Sequence, residues 1–414
     1  MKKNIHTYTL LLIFSLIGCV EKQISESNLL IFERGQFEEI DHIPFNMDRF
    51  IDSVRFVPLE ISDKSIIGEI SQMKIFEGNF YIRDGMTRRL MVFDNNGNYL
   101  HDIGRFGQGS GEFTAMSAFV LNSTERKIGI FDPMRNAVLE YTLEGVFLGS
   151  VAFPDENASS FYRKTIYADG YIFCYAAVNW SHNTAFSVRS AIDYSVIDRL
   201  RPYPIRPRGQ MAFVPMVHPF SFVNGRLYYV SLFSDVIFSY ENGEERPFLL
   251  IETGQPNITT SALHARVSEE GGRRNRGVVD DPTGIFFNLW QDRRYSAGFT
   301  ELAKTERFLL AAHKLGTNYR HHHGIAMSRP SFYFLDKTTN TGFYVKNGRI
   351  PNLGMPCLLD GNKLIRVWTQ DAIEAFQFRV KAGEIDSPRI IKSVLKGFDP
   401  EEDNPILVIY YMRE

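Results

Sequence analysis

Residues 80–113 contain two alternating apolar stretches, a tight-turn sequence between them and a glycine-rich segment after them: FYIRD at 80–84, LMVFDNNGNYL at 90–100 and GRFGQGSGEF at 104–113. Alternation of apolar and polar residues predicts β-strands, and an Asn-Gly pair between two such runs predicts a hairpin. This stretch therefore predicts one small antiparallel sheet that is followed by a glycine-rich loop.

Weaker copies of this unit recur along the chain, each starting with a turn and an apolar strand. The equivalent positions are Ile82, Ile130, Ile172, Tyr228, Leu309 and Ile365. Their spacings are 48, 42, 56, 81 and 56 residues, and four-stranded propeller blades repeat at about 40–50 residues. We expect an all-β fold, a six-bladed β-propeller of four-stranded antiparallel blades. The spacing of 81 residues predicts either an insertion at about 253–282 or a further blade.

The two ends of the repeat region carry strong strand sequences, 54–59 and 406–411. We expect the ring to close by pairing of N- and C-terminal strands, because this hides strand edges that would otherwise favour aggregation. Either terminal strand could complete the sixth blade beside residues 373–380, which we also expect to form a strand.

The N-terminus is typical of a secretory signal, since Lys2 and Lys3 precede an apolar run at 8–17. This run is shorter than the ~20 residues that span a bilayer. The residues Leu16-Ile17-Gly18-Cys19 resemble a bacterial lipobox, which implies cleavage before Cys19 and lipid attachment to its sulfur; the alternative is a chance cysteine. We expect a signal peptide at 1–18, a tether at 19–48 and the propeller at 49–414.

The first two repeats resemble NHL repeats. The segment Gly109-Ser110-Gly111-Glu112-Phe113 and the spacing from Asp84 to Arg89 match that class, whereas Ala137 replaces the arginine in the second copy. The whole layout, including Asn404-Pro405-Ile406, resembles lipobox-bearing six-bladed propeller proteins of gut Bacteroidetes. The resemblance implies an outer-membrane lipoprotein whose body faces the periplasm or the cell surface.

The composition is that of an ordinary globular protein, with 44% hydrophobic residues and a formal net charge of −2. This charge gives no support for nucleic-acid binding, which is usually carried by a strongly basic domain. After Cys19, only Cys174 and Cys357 remain. Two cysteines are too few for a disulfide framework, and we expect free, buried thiols.

The long polar segments all fall between strands that place them on one face of the ring, and loops on a rigid scaffold usually carry binding. This rim is rich in arginine, which binds carboxylate, phosphate or sulfate through paired hydrogen bonds. Candidate ligand-binding residues are Arg89, Arg105, Arg135 and Arg208 on the rim and His218 in the axial channel. The alternatives are arginines paired with local carboxylates and a packed core histidine.

The sequence therefore predicts a membrane-anchored, non-catalytic binding or scaffold propeller with a monomeric body. Its partner would be an acidic glycan or another envelope protein. The alternative is an enzyme acting at the channel mouth, a lactonase-type hydrolase or a polysaccharide lyase. That alternative is weakened because the predicted innermost strands offer few acidic residues, and no catalytic, metal or cofactor motif stands out.

Overall fold

The computed structural model describes most of the chain from residue 29 onward. The described residues are 29–40, 50–153, 162–176, 184–202, 218–231, 234–254, 256–257, 296–315, 320–321, 324–325, 331–345, 358–383, 395, 398–399 and 403–413. Cys19, Arg208, Cys357, the signal peptide and most of the expected insertion lie outside these residues.

The chain forms a six-bladed β-propeller with four-stranded blades, as expected. In the first three blades the strands are antiparallel and follow one another from the axis outward. Blade 1 comprises Ile70–Phe76, Asn79–Asp84, Arg89–Phe93 and Tyr99–Asp102. Blade 2 comprises Ala118–Asn122, Lys127–Asp132, Ala137–Thr142 and Phe147–Ala152. Blade 3 comprises Tyr162–Ala168, Tyr171–Ala176, Thr184–Ser190 and Val196–Pro202.

Blades 4 and 5 repeat this order. Blade 4 comprises Phe220–Val223, Arg226–Val230, Val236–Glu241 and Glu244–Glu252. Blade 5 comprises Ser296–Lys304, Phe308–Leu315, Ser331–Asp336 and Thr341–Val345. With blade 6 the described part of the chain forms six blades, and the residues that cause the long spacing between blades 4 and 5 lie mostly outside it. Short strand pairs also form between Arg105–Phe106 and Glu112–Phe113 and between Arg320–His321 and Gly324–Ile325.

The N-terminal segment adds a fifth, parallel strand to each of blades 4 and 5. Leu30–Glu33 pairs with the outermost strand of blade 4, and Phe37–Ile40 pairs with that of blade 5, with a 3-10 turn at Arg34–Gln36 between them. Residues 30–40 had been expected to belong to a tether. They are ordered on the blades because Phe32 and Phe37 are buried, and the Phe37 ring lies 5.1 Å from that of Tyr333.

Blade 6 contains both ends of the repeat region, so the two terminal strands complete it together. Its strands, from the axis outward, are Leu358–Asp360, Lys363–Trp368, Ile406–Met412 and Ile51–Pro58. The last two pair antiparallel, for example at Val408 and Phe56.

The expectation of a strand at 373–380 is wrong, because this stretch lies within an α-helix, Gln370–Lys381. Thr369 caps the helix by accepting a hydrogen bond from the amide of Ala372. Ile373, Phe376 and Val380 recur at helical spacing, and the first two are buried. The helix packs on the blade through Phe376, whose ring lies 5.2 Å from that of Trp368.

The apolar core consists of layers between neighbouring blades. Leu90, Phe119 and Ile130 belong to one cluster that joins blades 1 and 2. Val57, Ile82 and Leu407 belong to another, between blades 6 and 1. Since each blade buries both of its faces against its neighbours, the innermost strands are held rigidly around the axis.

Candidate functional site

A cavity of about 340 Å³ lies on the axis of the ring. Its wall includes one or more residues from the central part of every blade, among them Lys74, Leu121, Lys164, His218, Leu302 and Leu358. Phe76, Tyr167 and Phe222 also line it, and they lie where the innermost strands approach the short turns. The cavity thus extends toward the face opposite the long polar loops.

Two lysines from different blades reach across this axis. Lys74, on the innermost strand of blade 1, donates from Nζ to the carbonyl oxygen of Thr165 in blade 3 at 2.5 Å. Lys164 of blade 3 donates from Nζ to the carbonyl oxygen of Ser71 in blade 1 at 2.8 Å. These reciprocal hydrogen bonds bring two ammonium groups to the same stretch of the cavity wall.

The side chains between the two lysines fix this geometry. Gln72 donates from Nε2 to the carbonyl oxygen of Phe119 at 3.0 Å and accepts from the amide of Phe119 at 3.1 Å. Thr165 donates from Oγ1 to the same carbonyl oxygen at 2.5 Å. Gln72 and Thr165 are buried, so these bonds hold the strands of blades 1, 2 and 3 in register around the lysines.

The ammonium group of Lys74 is poorly compensated. Burial and, secondarily, the charge of Lys164 lower the pKa of Lys74 to about 7. The Phe119 ring lies 5.6 Å from Nζ, and no carboxylate among the described residues forms an ion pair with Lys74. Lys74 is only half-buried in the folded chain, so a ligand in the cavity can reach it.

The opposite wall contributes a histidine, His218, and the carboxyl group of Glu301 belongs to the neighbouring blade. His218 and Glu301 face each other across a parallel bridge between blades 4 and 5, and the amide of Leu302 donates to the carbonyl oxygen of His218 at 2.8 Å. Burial, then the charge of Lys164, lowers the pKa of His218 well below its usual value. Burial raises the pKa of Glu301 to about 7, although Lys164 opposes that rise.

The one acid among the described lining residues, Asp360, is already engaged, because it accepts a hydrogen bond from Lys363 Nζ at 3.0 Å. The cavity therefore presents two lysines, a histidine whose pKa is lowered and a carboxylate that is already paired. A site of this composition favours an anion, because a carboxylate or sulfate would supply a negative charge beside Lys74, which forms no ion pair with a carboxylate among the described residues.

The rim arginines expected from the sequence are engaged close to their own loops. Arg89 pairs with Asp102, with Nε to Oδ2 at 2.7 Å and Nη2 to Oδ1 at 2.9 Å. Arg105 donates from Nε to Glu112 Oε1 at 2.7 Å. These contacts favour a role in holding loops together over a role in ligand contact.

Arg135 is held in the same way, since Nη2 donates to the carbonyl oxygen of Gly109 at 3.2 Å and Nε lies 3.7 Å from Asp132 Oδ2. Arg208 lies outside the described residues. His218 is thus the one candidate in the described part of the chain that lies in the axial cavity, as expected, and the three arginines do not join it.

The sequence contained a signal for the two lysines that had been overlooked. Lys74 and Lys164 both lie in segments predicted as innermost strands, where a polar residue among apolar neighbours faces either the next blade or the channel. Glu301 is harder to assign from sequence, because the innermost strand of blade 5 has no clear turn and strand pattern before it.

A second polar cluster lies between blades 4 and 5. Ser296 donates from Oγ to Asp235 Oδ1 at 2.5 Å and lies 2.7 Å from His313 Nε2. All three residues are buried, and His313 Nδ1 has no hydrogen-bond partner in the described part of the chain. In a catalytic triad the aspartate binds Nδ1 and the serine is accessible. This cluster therefore does not have the geometry of a triad.

Two other searches of the described residues gave no candidate. They contain no group of three or more His, Cys, Asp or Glu side chains that could hold a metal ion. Within the same residues, no helix has the length and apolar character needed to cross a membrane.

Comparison with known proteins identifies a family and a set of similar folds. Residues 36–411 match a family described as a domain of unknown function, DUF4934. A Bacteroides fragilis protein described as exported is 15% identical, with a TM-score of 0.68, over 94% of this chain and 100% of that one. A Bacteroides vulgatus member of the DUF4221 family is 10% identical, with a TM-score of 0.50, over 88% and 97% respectively. At these identities the likeness concerns the fold alone. No curated protein sequence matches the chain.

Proposed function

The chain belongs to the DUF4934 family, and we propose that it is an exported, lipid-anchored propeller of the bacterial envelope that binds an anionic ligand in its axial cavity without catalysing a reaction. The observation that carries this proposal is the pair of lysines, Lys74 and Lys164, that reach across the axis from different blades. Lys74 forms no ion pair with a carboxylate among the described residues, and burying an ammonium group is costly unless an anion compensates it.

Export and anchoring are supported by the N-terminal sequence. The basic start, the short apolar run and the lipobox-like residues ending in Cys19 are typical of a bacterial lipoprotein signal. The description of the similar Bacteroides fragilis protein as exported agrees with this. The resemblance of the first two repeats to NHL repeats and of the whole layout to lipobox-bearing propellers supports the outer membrane as the proposed location.

The ligand class follows from the size and charge of the site. A cavity of about 340 Å³ lies at the lower end of the range for small-molecule sites, roughly 300–1,000 Å³. It suits a single acidic sugar or the acidic end of a glycan chain, with Lys74 and Lys164 holding the carboxylate or sulfate. Aromatic side chains at the mouth, Phe76 and Tyr167, would pack against the sugar ring.

Calorimetric titration of the mature chain with a methyl glucuronide and with the neutral methyl glucoside tests this proposal. We expect the glucuronide alone to bind, and each of Lys74→Gln and Lys164→Gln to weaken it by about tenfold or more, since a hydrogen bond to a charged group contributes about 1.5–3 kcal/mol. Lys381→Gln, on the exposed end of the helix, serves as the matched control and should leave the affinity unchanged.

Equal binding of the neutral glucoside, or full affinity in both lysine variants, would contradict the proposal. If no acidic sugar bound and a purified envelope protein bound instead, irrespective of the two lysines, the scaffold function would replace ligand binding.

A further inference from the structure

The amine of Lys74 combines three features that are seldom found together. It lines a cavity, it is held by one hydrogen bond to a backbone carbonyl, and no carboxylate in the described residues neutralises it. A second cation, Lys164, acts on it through space. Lysines that are desolvated or placed beside another cation become nucleophiles, because more of the amine is unprotonated at neutral pH.

We propose that Lys74 is a nucleophilic amine that condenses reversibly with the carbonyl group of an α-keto acid bound in the axial cavity. This inference rests on the proposed function, since the carboxylate of the α-keto acid would occupy the anion site. It narrows the ligand class to acids that carry a ketone next to the carboxylate, including the open-chain forms of acidic keto sugars.

The position of Lys164 explains why the carboxylate should be adjacent to the carbonyl. The two lysines reach across the axis in opposite directions, with Lys74 bonded to the backbone of Thr165 and Lys164 bonded to that of Ser71. Since Thr165 directly follows Lys164 in the chain, the amine of Lys74 lies beside the strand that carries the second lysine. A ligand with both groups on neighbouring carbons would offer its carboxylate to Lys164 and its carbonyl carbon to Lys74.

The reaction balances without an oxidant or a reductant. The lone pair of the Lys74 amine attacks the carbonyl carbon, and the carbonyl oxygen takes up a proton to give a carbinolamine. Loss of that hydroxyl group as water, with release of a proton from nitrogen, leaves a carbon–nitrogen double bond. The net change is one amine and one ketone converted to one imine and one water.

His218 of the wall and Glu301, which is bridged to it from blade 5, are the groups that would move these protons. Both are coupled electrostatically to Lys164, and burial keeps part of the Glu301 population protonated near neutral pH. Such a carboxyl group can give a proton to the departing hydroxyl group and recover one from the nitrogen. Cys174, also near Lys74, stays a neutral thiol because burial raises its pKa to about 12.

Reductive trapping tests this inference on the whole mature chain. Pyruvate is added at neutral pH with sodium cyanoborohydride, which reduces an imine to a stable amine, and peptide mass mapping locates the adducts. We expect the adduct at Lys74 to form about tenfold faster, or more, than adducts at the exposed Lys64 and Lys381, because the lower pKa of Lys74 leaves a larger unprotonated fraction. Adducts spread evenly over the lysines would overturn the inference.

Propanal, an aldehyde without a carboxylate, tests the reactivity of the Lys74 amine separately from the binding of a carboxylate. Lys164→Gln should slow labelling of Lys74 by propanal at neutral pH and restore it at about pH 9, because removing the neighbouring cation raises the pKa of Lys74. Selective labelling by propanal but not by pyruvate would overturn the assignment to α-keto acids. Unchanged labelling in Lys164→Gln would contradict activation by the second cation.

The failures of the two proposals can be told apart. If the methyl glucuronide binds and no adduct forms at Lys74, the proposal of anion binding is retained and the proposal of a covalent step is rejected. If propanal labels Lys74 selectively and no anion binds, the reactivity of the Lys74 amine is retained. The anion site and the α-keto acid ligand are then both rejected.

Discussion

At the residue scale, the balance of charge around Lys74 decides the chemistry of the axis. The groups that face it are the ammonium of Lys164, the thiol of Cys174 and, through Lys164, His218 and Glu301. Taking an ammonium group out of water costs several kcal/mol unless an opposite charge accompanies it. An anion held by both lysines therefore favours the charged form of Lys74, whereas an α-keto acid that offers its carboxylate to Lys164 would react with the unprotonated fraction of Lys74.

The first prediction is that anion binding takes up protons. Burial first, and Lys164 second, lower the pKa of Lys74 to about 7, whereas burial raises that of Glu301 to about 7. A bound anion favours both the ammonium and the neutral carboxyl group, so the affinity for the methyl glucuronide should rise as the pH falls through about 7. Titration in buffers of different ionisation enthalpy measures this uptake, and release of protons on binding would contradict it.

A second prediction concerns Asp84, which is buried at the end of the second strand of blade 1. It accepts hydrogen bonds from the amides of Gly68, Glu69 and Met86 at 2.8–3.0 Å and from the hydroxyl of Thr87 at 2.8 Å. Burial alone would raise its pKa, but these four bonds outweigh burial and lower it. Asp84→Asn should reduce the free energy of unfolding by about 2–4 kcal/mol at neutral pH.

The pH dependence of this difference follows from the sign of the shift. Because the folded pKa of Asp84 is below its unfolded value of about 4, the stabilisation is complete above that value and disappears as the pH falls through the folded pKa. Denaturation of wild type and Asp84→Asn at several pH values should show the gap closing in acid. The exposed Asp63→Asn provides the control, and a gap that widened in acid would refute the argument.

At the element scale, the outer hairpin of blade 1 shows how blades are joined. Its turn lies against the outermost strand of blade 6, where the amide of Glu60 donates to the carbonyl oxygen of Gly97 at 2.8 Å and Arg55 Nη2 donates to that of Asn95 at 2.8 Å. Gly97 has a φ of 90°, and a Cβ at this position would overlap the carbonyl oxygen of Pro58. The turn therefore specifies both a hairpin and a contact between blades.

The third prediction separates the cost of the positive φ at Gly97 from the cost of disturbing the contact between blades. Gly97→Ala should cost more stability than Gly170→Ala, because Gly170 has a similar φ of 80° but no atom within 4 Å of an added Cβ. The backbone penalty alone is roughly 1–2 kcal/mol, so Gly170→Ala measures it and the excess at Gly97 measures the clash. Equal losses of thermal stability in the two variants would show that the contact between blades is loose.

The elements that followed simple periodicity were predictable from the sequence. The Asn-Gly hairpin of blade 1 and the recurring apolar strands fixed the number of blades, because alternation and turn chemistry are local properties. The sequence analysis predicts a strand at 373–380, although Ile373, Phe376 and Val380 have the helical spacing that the structure shows. The ordering of Phe32 and Phe37 on blades 4 and 5 depends on distant partners, which a local pattern does not show.

The candidate site was less predictable than the fold. His218 could be assigned to the channel because a strand was expected there. Pairing of rim arginines with local carboxylates was one of the alternatives, but Asp102 could not be specified as the partner of Arg89, since it depends on the register of two neighbouring strands. Lys74 and Lys164 are 90 residues apart in sequence, and their meeting across the axis follows only from the closed ring.

At the scale of the whole molecule, one asparagine links the two ends of the ring. Asn404, which is buried, accepts from the amide of Ile67 at 2.9 Å and donates to the carbonyl oxygens of Glu60 and Ser65, each at 2.7 Å. These residues flank the terminal strands that pair in blade 6. The side chain therefore stabilises closure, on which the shape of the axial cavity depends.

The fourth prediction is that Asn404→Ala lowers the free energy of unfolding by about 2–4 kcal/mol, because it leaves buried backbone groups unsatisfied. Asn362→Ala is the control, since the part-buried side chain of Asn362 makes one long hydrogen bond within the described residues, 3.4 Å to the carbonyl oxygen of Met412. Thermal unfolding compares the two. Equal stability of both variants would contradict a special role for Asn404 in closure.

The fifth prediction concerns the anchor. Cys19→Ala removes the sulfur that would carry the lipid, so the protein should move from the membrane fraction to the soluble fraction, because its body has no other proposed attachment. Fractionation followed by immunoblotting measures this. A variant that stayed with the membranes to the same extent as the wild type would show that the lipobox resemblance is misleading.

The most direct test of the account is the titration of Lys74 followed by carbon-13 NMR of the lysine Cε groups, with Lys74→Arg used for assignment. We predict that Lys74 titrates near pH 7 in the free chain and at a clearly higher pH when the methyl glucuronide saturates the cavity. A Lys74 signal that titrated near its ordinary value of about 10.4 and did not respond to the ligand would contradict an uncompensated cationic site at the axis.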